Sequence, residues 1–93
     1  PGGFDKALWA IVATGDTPRP FVRLAHTSPD GDQGFPGTLD VSAEYALGED
    51  GSLAITYRAV TDRATVVNMT NHAYWNLAGE GAATGALDHA LTI

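Results

Sequence analysis

Cysteine is absent from this 93-residue chain, which excludes a disulfide framework and any thiolate metal centre and suits a reducing compartment. Basic residues are scarce. Five Lys and Arg stand against eleven Asp and Glu, for a net charge of -6, and the five (Lys6, Arg19, Arg23, Arg58 and Arg63) are scattered. Nucleic acid and anionic lipid both need a basic footprint, so neither is the expected partner. Long hydrophobic runs are missing too, and nothing approaches the ~18 apolar residues of a spanning helix. No basic stretch leads into an apolar one, as a secretion signal requires, and no initiator methionine stands before Pro1. With no signal visible, the expectation is a cytoplasmic protein. The chain opens abruptly at Pro1 and stops in mid-pattern at "ALTI", so it reads as a piece of something longer.

Helix-length amphipathic patterns are scarce as well; what is present is β-type sequence punctuated by Gly, Pro and Asp. "ALWAIVAT" (7–14) and "PFVRLAHTS" (20–28) read as two strands. "SPDGDQGFPG" (28–37) is dense in turn residues and reads as loop. A hairpin follows. "TLDVSAEYAL" sets Leu39, Val41, Ala43, Tyr45 and Leu47 against Asp40, Ser42 and Glu44. After the turn "GEDG", "SLAITYRAV" sets Leu53, Ile55 and Tyr57 against Thr56 and Arg58. Two period-2 segments about a Gly-rich connection predict antiparallel strands with one face buried. "ATVVNMTNHAYWNL" (64–77) predicts a further long strand, and "LDHALTI" (87–93) the opening of another. The expectation is an all-β, antiparallel fold.

In the strand expected at 64–77, His72 shares a polar stripe with Asn68, Thr70 and Tyr74, opposite Val67, Met69, Asn71, Ala73 and Trp75. Such a stripe is either solvated or lines a cleft. The aromatics beside it favour a cleft, because aromatic faces with polar edges suit sugar rings. Imidazole, as a side-chain type, exchanges protons near neutral pH. A lone histidine is nevertheless more often structural than catalytic, and His26 and His89 are read as structural or exposed.

Other motifs are weaker. Asp30 and Asp32 are spaced like the start of a calcium loop, but the later ligands are missing, so a turn is the simpler reading. No metal site is expected. "NMT" (68–70) fits a glycosylation sequon inside an expected strand and carries no weight. Asp30, Asp32, Asp40, Glu44 and Glu80 could supply paired carboxylates for glycoside chemistry, yet none stands in a diagnostic context. Glu44 reads as a solvated surface charge.

Three stretches, "GFDKALW", "SPDGDQGFPGTLDVSAEYAL" and "TNHAYWNLAGEG", occur in this order over nearly the whole chain. In that arrangement the sequence resembles the aldose 1-epimerases, or galactose mutarotases. The resemblance implies a partial aldose 1-epimerase domain over residues 1–93, part of an antiparallel β-sandwich of the galactose mutarotase-like supersandwich type. It implies a monosaccharide substrate, a free aldohexose, and a reaction without metal or organic cofactor that interconverts α and β anomers. In that chemistry a glutamate takes the C1 hydroxyl proton while the histidine of the "NHxYxNL" motif, here His72, protonates the ring oxygen. His72, Ala73 and Tyr74 correspond to sugar-contacting positions. The family's catalytic glutamate, its sugar-binding aspartate and its second histidine have no counterpart in this stretch, so the isolated segment is expected to be inactive. A non-catalytic carbohydrate-binding module and a hexose-phosphate epimerase are the alternatives.

Overall fold

The computed structural model describes residues 2–92. Four strands, β1 (Ala10–Gly15), β2 (Phe21–Ser28), β3 (Leu39–Leu47) and β4 (Leu53–Thr61), form one sheet in the order β1-β2-β3-β4, each antiparallel to the next. The all-β, antiparallel expectation is borne out, and a single such layer is consistent with part of a sandwich. Among the described residues no helix is long and apolar enough to cross a membrane.

Period 2 explains which side is buried. Ladder partners Leu24, Ala43 and Tyr57 lie in one row across the sheet, with Val22, Tyr45 and Ile55 in the next row on the same face. Leu39, Val41 and Ala43, all on β3, fall below 10% exposure because a central strand is covered on both flanks as well as above. The opposite face carries the polar partners. Arg23 and Glu44, directly across from one another, form an ion pair at 2.5 Å with Nε also at 2.9 Å. Thr27 donates to Asp40 at 2.6 Å. Ala46 departs from the pattern, buried on the polar side beside Phe21, while Leu47 is half exposed where the sheet ends.

The hairpin turn follows from its residues. Gly51 takes φ 81°, a region costly for side chains with a Cβ, and Asp50 Oδ1 accepts the Ser52 N–H at 3.0 Å. In β1 the register slips between Ile11 and Ala13, a bulge that leaves Val12 without a partner. The loop after β2 holds one short 3-10 turn, Asp32–Gly34, inside the predicted loop.

Two strand expectations fail. Residues 64–76 form no ladder, and the stretch 87–92 holds a 3-10 turn (Ala86–Asp88) followed by irregular chain; Ile93 lies outside the described residues. The first strand also begins three residues later than its apolar run, since 7–9 fold elsewhere. Composition can favour the β conformation, but a strand exists only where a neighbour accepts its hydrogen bonds. Past Thr61 the chain leaves β4, and Asn68, Met69 and Thr70 border a cleft on the apolar face together with Leu24, Ala43 and Tyr57. We refer to residues 64–76 as the arm.

Candidate active site

The arm starts at a tight corner against the loop that precedes β3. Asp62 Oδ1 accepts the Thr38 N–H at 2.8 Å, and the Asp62 N–H donates back to Thr38 O at 3.4 Å. Thr61 Oγ1 donates to Arg63 O at 2.8 Å and accepts the Arg63 N–H at 3.3 Å. Asp30 Oδ1 accepts from the Gly37 N–H at 2.5 Å and meets Arg63 Nη1 at 3.4 Å. The corner closes because residue 37 is glycine, with φ 86° and no room for a Cβ: one placed there would lie 2.9 Å from Arg63 Cβ.

Beyond the corner the arm borders two clefts. The first, about 250 Å³, has Phe4, Phe35, Leu39, Val66 and Val67 in its apolar walls and Ser28 and Asp32 at its polar side. The buried Thr65 hydroxyl has no hydrogen-bond partner. The second cleft, about 480 Å³, lies between Asn68–Thr70 and the sheet, with Trp9, Tyr45 and Tyr57 among its walls. Partial burial pushes the Tyr57 hydroxyl above its ordinary value, helped by Tyr45 through charge and hydrogen bonding.

His72, Ala73 and Tyr74 follow, all exposed. The His72 and Tyr74 rings are adjacent, with centroids 4.9 Å apart and planes inclined at 48°. Ala73 is held between them by the side chain of Asn71, whose Oδ1 accepts the Ala73 N–H at 3.1 Å. Such a local side-chain-to-backbone turn is a habit of asparagine. The same habit recurs downstream. Asn76 Oδ1 accepts the Ala78 N–H at 3.1 Å, and Asn76 Nδ2 donates to Gly79 O and to Thr84 O, each at 3.3 Å. Neither asparagine was assigned a role from the sequence alone; the short polar side chain two residues before a bonded N–H was the available signal.

The other candidates go elsewhere. His26 packs with Phe4 (5.8 Å) and Trp9 (5.6 Å), and its Nδ1 meets Leu8 O at 3.2 Å. It is a half-buried packing histidine that anchors the "GFDKALW" stretch over β2, where Trp9 Nε1 donates to Phe4 O at 2.9 Å. His89 is half-buried beside the second 3-10 turn. Asp30 is engaged at the corner, and Asp32 accepts from Ser28 Oγ at 2.7 Å. The Ser28 hydroxyl, then the Gln33 amide, holds the Asp32 carboxyl below its ordinary range. Both aspartates serve turns. Among the described residues no three His, Asp or Glu side chains converge where a metal could sit. Chemically, the exposed imidazole of His72 beside a phenol can exchange a proton with a hydroxylated ring laid against it.

Comparison with known proteins bears on the whole chain. The family model for aldose 1-epimerase matches residues 2–93. An aldose 1-epimerase of Escherichia coli (strain K12) is 51% identical over 80 residues, which cover 86% of this chain and 22% of that protein. The galactose mutarotases of Homo sapiens and Pongo abelii are 46% and 45% identical over 93 residues, covering 98% of this chain and 25% of each of those proteins. The chain thus spans about a quarter of the length of the curated relatives it matches. No solved structure matches it significantly. With a family match from the second residue to the last, and relatives this similar, the chain belongs to the aldose 1-epimerase family.

Proposed function

We propose that the protein carrying this segment interconverts the α and β anomers of a free aldohexose such as galactose or glucose, with His72 as general acid at the ring oxygen. The observation that carries this reading is the family match over residues 2–93. Its geometric support is the exposed imidazole of His72, 4.9 Å from the Tyr74 ring and free of the apolar packing that engages His26.

In the proposed cycle a carboxylate base takes the proton from the C1 hydroxyl, and that O–H electron pair becomes the carbonyl π bond. The C1–O5 bond breaks as its electron pair takes the proton from the His72 imidazolium. The open aldehyde turns about C1–C2. Reclosure on the other face returns one proton to His72 and the other from the base to the new C1 hydroxyl, so no atom or electron is gained or lost. Tyr74 would offer an aromatic face to the sugar and Ala73 a small backbone surface beside it. The base is not assigned to any carboxylate of this segment, and the 93 residues alone are expected to be inactive. We further propose a cytoplasmic location for the enzyme.

Polarimetry of freshly dissolved α-galactose tests the assignment in the protein that carries this segment. General acid catalysis is worth about 10²–10⁴-fold, so His72→Ala should slow the catalysed approach to anomeric equilibrium by at least about tenfold. A variant as fast as the parent would falsify the proton-donor role. Activity confined to sugar phosphates would instead indicate a hexose-phosphate epimerase.

A further inference from the structure

We draw no further inference here: the strongest candidate, the cleft of about 250 Å³ between the 28–37 loop and the start of the arm, with Ser28 and Asp32 at its polar side and the Thr65 hydroxyl unbonded among the described residues, carries nothing, because the chain spans about a quarter of the length of its relatives and nothing in the structure shows what covers that cleft.

Discussion

Replacing Gly37 by alanine tests the corner that launches the arm, and Gly31 supplies the control. Both glycines have nearly the same backbone, φ 86° and φ 84°. At Gly31 a Cβ would meet nothing within 4 Å. At Gly37 it would lie 2.9 Å from Arg63 Cβ, 3.0 Å from Thr61 Oγ1 and 3.1 Å from Asp62 Oδ1. The left-handed backbone costs any L-residue about 1–2 kcal/mol, while the lost freedom of the unfolded chain returns about 0.4–1 kcal/mol. Gly31→Ala should therefore destabilise by about 1 kcal/mol. Gly37→Ala bears the same net cost plus an overpacking term of about 1–3 kcal/mol. That term is real because the nearest obstacle is a Cβ, fixed to the backbone, so the corner itself must move. The expected total is about 3 kcal/mol. Urea unfolding of the two variants in the protein carrying this segment, at matched slope m, reads the difference as a shift in midpoint. Equal midpoints for the two, within about 0.5 kcal/mol, would mean that the close approach of loop and corner does not exist.

Val41, 2% exposed on the central strand, should lose about 2 kcal/mol on truncation to alanine, for two methyl groups removed from a packed site. Leu47→Ala, at 52% exposure, should cost well under half of that by the same unfolding measurement. The depressed Asp32 carboxyl sets an acid limb. It is held below the ordinary 3.8 by the Ser28 hydroxyl, so its contribution is present above that value and is lost as pH falls through the lower folded value. Ser28→Ala removes the principal cause, and the stability of the variant should fall less steeply than that of the parent below pH 3.8. Identical slopes in urea titrations at neutral and acid pH would show that the hydrogen bond does not set this carboxyl.

The hairpin of β3 and β4 was legible because alternation of Leu39, Val41 and Ala43 with Asp40, Ser42 and Glu44 states both the period and the buried side. The turn residues Asp50 and Gly51 state where it reverses. The arm was misread as a strand for a physical reason. Val66, Val67 and Met69 have strand-like chemistry, but pairing is a relation between two segments and cannot be read from one. Ala46 was missed because a methyl group says little about side, and its burial depends on Phe21 across the ladder. Of the candidate site, the neighbourhood of His72 and Tyr74 was readable from their spacing. The corner was not, since it joins Asp30, Gly37 and Asp62, far apart in sequence, through hydrogen bonds that no local pattern announces.

Two indoles stand in unlike surroundings in this molecule. Trp9 is tucked beside Phe4 and His26 with its N–H engaged, whereas Trp75, three residues past His72, is 69% exposed. Their fluorescence should therefore divide, the sheltered ring emitting to the blue and resisting iodide, the open one emitting to the red and quenched readily. If a monosaccharide settles against His72 as proposed, it should shade the second lamp and leave the first unchanged.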